Sequence, residues 1–124
     1  RLELFGDQVY LDGAHNPHAM LRLIEFAKSL AGKRVKILFG ALKRKDYSGM
    51  LETLQTGLPE SELILTTFHY GEVVAQGDRQ DLPYVADYKA YIKEFIDQSR
   101  PDEVLFVTGS LYFIAEVRAF LLEG

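Results

Sequence analysis

Four short polar clusters in this chain combine residue types that bind anions and move protons. They are Asp12-Gly-Ala-His15-Asn16, Gly40-Ala-Leu-Lys43-Arg44-Lys45-Asp46, Thr66-Thr67-Phe68-His69 and Thr108-Gly109-Ser110-Leu111-Tyr112. Lysines and the unpaired N–H groups of a helix start both favour negative charge. A histidine set between an acid and a helix start has its proton affinity pulled in opposite directions, as in contacts to phosphate or carboxylate. The chemistry such a set suits is recognition of an anionic substrate, a carboxylate or a phosphate. Each residue also has a plainer reading. Asp12 suits a loop, Asn16 a helix cap, Lys43-Arg44-Lys45 a solvated charge run and Thr108-Gly-Ser110 a strand-to-helix turn.

The elements that must position these clusters alternate along the chain. Arg1 to Phe5 and Gln8 to Leu11 are predicted strands joined at Gly6-Asp7, a dipeptide suited to a tight hairpin. Asn16 and Pro17 then open a helix as N-cap and first residue, with Met20, Leu23, Ile24, Ala27 and Leu30 on one face and Gly32 beyond its end. Val35 to Phe39 is a predicted buried strand. Asp46 caps a second helix carrying Tyr47, Met50, Leu51 and Leu54 at core spacing, ending near Gly57 and Pro59. Leu63 to Phe68 and Val104 to Thr108 are further strands. Between them lies an amphipathic helix, Asp87 to Gln98, with Tyr88, Tyr91, Ile92 and Phe95 on one face, so these tyrosines are expected in the core. The last helix starts near Ser110 and is expected to turn Leu111, Ile114, Val117 and Leu121 inward.

Residues 69–86 follow neither period, and a short helix around Asp78 to Leu82 is the expected relief. The pattern predicts an α/β fold. It is three-layered and Rossmann-like, a mostly parallel sheet with helices on both faces and an N-terminal antiparallel hairpin. Ligands of such sheets bind where the strands finish, and all four polar clusters fall there.

Length and composition narrow the function. At 124 residues and 48% hydrophobic, the chain buries enough surface to fold as one domain over residues 1–124 without metal or disulfides. No repeat, linker or low-complexity tract divides it. It has no Cys, which removes thiol catalysis and Cys-ligated zinc, and leaves cytoplasmic chemistry as the expectation. The net charge of −4 speaks against nucleic acid or an anionic membrane as partner. No run approaches the roughly 18 apolar residues of a membrane span. There is no phosphate loop G-x-x-x-x-G-K-[ST], no G-x-G-x-x-G and no nucleophile elbow, and His15 and His18 lack a third metal ligand, so no metal site is expected. The first residue is Arg rather than Met, as expected for a piece of a longer protein.

Leu11-Asp-Gly-Ala-His-Asn-Pro17 resembles the signature of the folylpolyglutamate synthase and dihydrofolate synthase family, the folate members of the Mur-type ATP-dependent amide ligases. Phe39-Gly-Ala-Leu-Lys-Arg-Lys-Asp-Tyr47 resembles that family's loop ending in Lys-Asp. Val107-Thr-Gly-Ser-Leu-Tyr-Phe113 resembles its C-terminal Thr-Gly-Ser-Leu-Tyr motif. The resemblance covers residues 1 to about 121 and implies the C-terminal domain of a two-domain enzyme. The absent N-terminal domain is expected to carry the phosphate loop and the Mg2+ ligands. In such ligases ATP phosphorylates a folate or dihydropteroate carboxylate, and the amine of L-glutamate attacks the acyl phosphate.

The same resemblance implies roles for individual residues. Arg1, Asp12, His15 and Asn16 contact or shape the nucleotide site, with Asp12 at the ribose. Lys43, Lys45, Asp46, Ser110 and Tyr112 form or border the glutamate pocket, and His15 and Lys45 take the catalytic positions. Arg44, inside the Lys-Asp loop, alters how that loop meets its substrate. Glutamate presents two carboxylates and an amine, so cations and N–H groups on one rim answer its chemistry independently. Closure of two domains excludes the water that hydrolyses an acyl phosphate. Two rivals stand beside this reading: a stand-alone binding or regulatory module for a carboxylate ligand, and a peptidoglycan-precursor ligase, against which Asp12-Gly-Ala-His-Asn-Pro speaks.

Overall fold

Gly6, at φ 66°, turns the first strand, β1 (Leu2–Phe5), back onto β2 (Val9–Asp12) as an antiparallel pair. A computed structural model describes residues 2–123, so the role expected of Arg1 lies outside the described residues. The following elements are α1 (Pro17–Ser29), β3 (Arg34–Phe39), α2 (Tyr47–Gly57), β4 (Glu62–Thr66), β5 (Tyr84–Val85), α3 (Tyr88–Gln98), β6 (Glu103–Thr108) and α4 (Leu111–Glu123). They build one sheet in the order β1-β2-β6-β3-β4-β5, parallel everywhere except at the β1–β2 hairpin. The predicted mostly parallel sheet is therefore observed.

Alternation along each strand divides the core into two layers. Ile37, Phe39, Val104, Phe106, Leu63 and Leu65 pack with α1 and α2 on one face. Leu38, Leu105, Val107, Ile64, Val9 and Leu11 pack with α3 and α4 on the other. Strands covered on both faces read as unbroken apolar runs, which is why β3, β4 and β6 are so apolar. Burying one Leu side chain stabilises by about 2–3 kcal/mol, and Leu23, Leu38, Leu51, Leu54, Leu65 and Leu105 are all essentially inaccessible. Among the described residues no helix is long and apolar enough to cross a membrane.

The predicted helix faces are present, with α1 burying Met20, Leu23, Ile24 and Ala27. Among the described residues, each α-helix is capped by a side chain. Asn16 Oδ1 accepts from the Ala19 N–H at 2.8 Å, Asp46 Oδ1 from Gly49 at 2.9 Å, Asp87 Oδ1 from Ala90 at 3.1 Å and Ser110 Oγ from Tyr112 at 3.1 Å.

Several expectations change. Leu111 does not turn inward: it is 56% exposed, because α4 meets the sheet through Phe113 and Val117 instead. Tyr88 is buried as expected, while Tyr47 and Tyr91 are only half-buried. The β4 strand stops at Thr66, two residues early, and the expected helix near 78–82 is a single 3-10 turn at Gln76–Asp78. Residues 84–85 form an unpredicted edge strand. It is held by the Leu65 N–H donating to Pro83 O at 2.8 Å and by Thr66 Oγ1 donating to Val85 O at 2.7 Å.

Thr108 pairs with Asp12 on one side and Phe39 on the other, so the next residues, Gly109, Gly13 and Gly40, stand in a row across the strand ends. Gly109 has φ 121°, and a Cβ there would collide with the Gly40 carbonyl oxygen. A Cβ on Gly40 would lie 2.9 Å from the Phe113 ring, and one on Gly13 would lie 2.7 Å from Leu111 Cδ2. Without side chains at this row, the first turn of α4 seats directly on the sheet.

Two stability predictions follow from caps and row. Gly109→Ala should lower unfolding free energy by about 2 kcal/mol or more, combining an unfavourable φ with a backbone collision. A urea midpoint unchanged from wild type would contradict the close approach. Asn16→Ala and Asp46→Ala should each cost about 1 kcal/mol, while Asp46→Asn should be nearly neutral. Equal losses in Asp46→Ala and Asp46→Asn would show that charge, not capping, is what Asp46 supplies.

Candidate functional site

The central strands β2, β6 and β3 are neighbours, so the loops that follow them converge on one rim, each leading into a helix N-terminus. Two concave surfaces open there. One, of about 440 Å³, is lined by Asp12, Gly13, His15, Arg22, Phe26 and Leu111 among others. The other, of about 380 Å³, is lined by His15, Leu42, Arg44, Lys45, Gly109, Ser110, Leu111 and Tyr112. His15 and Leu111 belong to both, forming the ridge between them.

His15 is half-buried, and its Nδ1 lies 2.9 Å from the Gly13 carbonyl oxygen. A carbonyl only accepts, so Nδ1 carries the proton and Nε2 of the neutral ring is left as an acceptor. The loop is fixed from below, where the buried Thr108 Oγ1 lies 3.5 Å from Ala14 O. Asp12 is buried at the strand end beside Thr108.

The cations of the β3–α2 loop divide into two roles. Lys43 Nζ lies 3.7 Å from Asp78 Oδ2, and its charge is turned toward its own chain. Among the described residues no carboxylate lies within ion-pair distance of Arg44 or Lys45, which are exposed and line the second cleft. Cations held without an acidic partner at the positive end of α4 favour an anion there.

The structure thus brings together His15, Lys45, Ser110 and Tyr112 around one cleft, and Asp12 and His15 around the other. Asn16 and Asp46 spend a side-chain oxygen on capping, and Asn16, Lys43 and Asp46 line neither cleft. Periodicity missed Arg22, which faces the first cleft from α1, since a charged residue on an exposed helix face reads as solvation. It also missed Glu116. Glu116 Oε1 accepts from the His69 N–H at 3.1 Å and Oε2 from the Tyr88 hydroxyl at 2.8 Å, tying the end of β4 to α3 and α4. Burial, then that carboxylate, pushes the Tyr88 hydroxyl far above the ordinary phenol range, so it stays a donor.

A larger concavity, about 610 Å³, lies at the opposite edge, between the ends of α1 and α2. Size alone would point to it. It lies, however, at the starts of β3 and β4, away from the loops that follow the parallel strands, where ligands of such sheets bind.

Comparison with known proteins shows the family and the fold. The family model described as "Mur ligase, glutamate ligase domain" matches residues 1–111. A dihydrofolate synthase/folylpolyglutamate synthase of Bacillus subtilis (strain 168) is 32% identical over 131 aligned residues, spanning 95% of this chain and 29% of that protein. A folylpolyglutamate synthase of Lacticaseibacillus casei is 30% identical over all of this chain and 30% of its own length. The chain thus spans under a third of the curated relatives it matches. A crystal structure of a bifunctional folylpolyglutamate synthase/dihydrofolate synthase from Yersinia pestis, complexed with AMPPNP and Mn ion, superimposes with a TM-score of 0.81. At 23% identity it covers 97% of this chain and 30% of that one, a likeness of fold. With the family model matched across most of its length, this chain belongs to the Mur ligase family, as a glutamate ligase domain.

Proposed function

We propose that this chain is the glutamate-handling part of an ATP-dependent ligase that joins L-glutamate to a folate or dihydropteroate carboxylate. The observation that carries the reading is the place of His15, on the ridge between a cleft holding Asp12 and Arg22 and a cleft holding Arg44, Lys45 and Ser110. A reaction that brings an activated carboxylate from one side to an amine on the other needs a group with that reach. The names of the two curated relatives supply the substrate class.

In this reading Asp12 and Arg22 meet the nucleotide, while Lys45 and Arg44 neutralise the carboxylates of the incoming amino acid. ATP supplies the phosphoryl group that makes the acceptor carboxylate an acyl phosphate. The amine of glutamate attacks the acyl carbon, the bond from that carbon to the phosphate oxygen breaks, and phosphate leaves with the electron pair. Nε2 of His15, an acceptor in the tautomer fixed by Gly13, is the group available to take the amine's proton. The phosphates fit a rim of cations and helix N-termini. The donor set does not fit Mg2+, since among the described residues no group of three His, Cys, Asp or Glu could hold a metal ion. Its ligands, and a phosphate loop, belong in this reading to a partner domain of the same protein. Leu111 and Tyr112, exposed apolar residues on this rim, suit contact with that domain.

The full-length protein should form ADP and phosphate as it adds labelled glutamate to folate or dihydropteroate. His15→Ala should lower kcat by about a hundredfold, with a melting temperature close to wild type. Activity and melting temperature falling together would make His15 structural. Saturable binding of a dicarboxylate with no ATP turnover would favour the binding-module reading instead.

A further inference from the structure

Residues 67–75 leave the end of β4 and cross the rim, fastened at both ends of the crossing. Glu116 holds the His69 N–H at 3.1 Å. Farther on, an antiparallel bridge pairs Val73 with Leu42, with the Lys43 N–H donating to Glu72 O at 2.9 Å and the Val74 N–H to Ala41 O at 2.8 Å. The segment is therefore joined by backbone hydrogen bonds to the loop that carries Arg44 and Lys45. Between the fastenings sits Tyr70, whose ring stacks on Tyr112 with centroids 4.0 Å apart and planes 17° from parallel. Both rings are roughly half in water, at 43% and 47% exposure, so their contact is not part of the core. Tyr112 lines the cleft and Tyr70 does not.

We propose that Tyr70 is a positioning residue: by stacking, it holds the Tyr112 ring as a fixed wall of the cleft shared with Ser110, Arg44 and Lys45, and so sets affinity for the incoming amino acid. The inference rests on the glutamate reading of that cleft. An exposed tyrosine without a neighbour samples several rotamers, and a ligand that needs one of them must immobilise it on binding. A stacked partner removes that cost before the ligand arrives. The effect falls on ground-state binding, hence on KM for glutamate and not on kcat.

The test uses the full-length protein with ATP, folate or dihydropteroate, and L-glutamate. Tyr70→Ala should raise KM for glutamate roughly three- to tenfold, the factor an aromatic pair is worth, with kcat changed by less than about twofold. Tyr70→Phe, which keeps the ring, should restore the wild-type KM. The double variant Tyr70→Ala with Tyr112→Ala should be no worse than Tyr112→Ala alone, because the stack acts only through Tyr112. An unchanged KM in Tyr70→Ala, a Tyr70→Phe as impaired as Tyr70→Ala, or additive losses in the double variant would each overturn the inference and leave the ligase reading standing. If Tyr70→Ala loses its cooperative thermal transition, Tyr70→Leu takes its place with the same expected KM. A wild-type protein that adds no glutamate would overturn both.

Discussion

The first turn of α4 can sit on the ends of β2, β6 and β3 only because Gly13, Gly109 and Gly40 present no side chains there. Phe113 presses against Gly40 and anchors the helix in the layer shared with Phe68 and Tyr88, with ring centroids 5.0 and 5.5 Å away. Leu111, 56% exposed, lies over Gly13 and lines both clefts, so it helps to divide the rim. A site of this kind depends on backbone proximity more than on any single charged pair. The Gly109 backbone, at φ 121°, takes a conformation that a side-chain-bearing residue rarely adopts.

The polar groups on the rim are divided between holding the fold and facing a ligand. Asn16, Asp46 and Ser110 satisfy the orphan N–H groups of α1, α2 and α4. Lys43 pairs with Asp78, and Glu116 carries the His69 amide and the Tyr88 hydroxyl. What these commitments leave is His15, with its tautomer fixed by Gly13, together with Arg44 and Lys45. A substrate that brings carboxylates to this rim meets positive charge already in place, with little reorganisation to make.

The sequence made the core layers readable because strand alternation and helix spacing are local. Met20, Leu23, Ile24 and Ala27 declare one face of α1 without reference to anything distant. The capping residues were readable for the same reason. Where contacts join residues far apart in the chain, local pattern carried no signal. The insertion of β6 between β2 and β3 joins strands far apart in the chain, as in the pairs Val9 with Leu105 and Arg34 with Glu103, and Tyr70 meets Tyr112 across a segment that follows no period. Leu111 misled because its spacing with Ile114 and Val117 is that of a core stripe, whereas its helix pivots on Phe113. The motif residues mark the rim, but only the tertiary fold separates Lys45, on the cleft, from Lys43, turned away.

A crystal structure of the full-length protein with a non-hydrolysable ATP analogue and L-glutamate tests the account most directly. Difference density should place the amino acid in the cleft of Arg44, Lys45, Ser110 and Tyr112, the nucleotide on the Asp12 side, and His15 between them. Glutamate density at the opposite edge, between the ends of α1 and α2, with this rim facing bulk solvent, would contradict it.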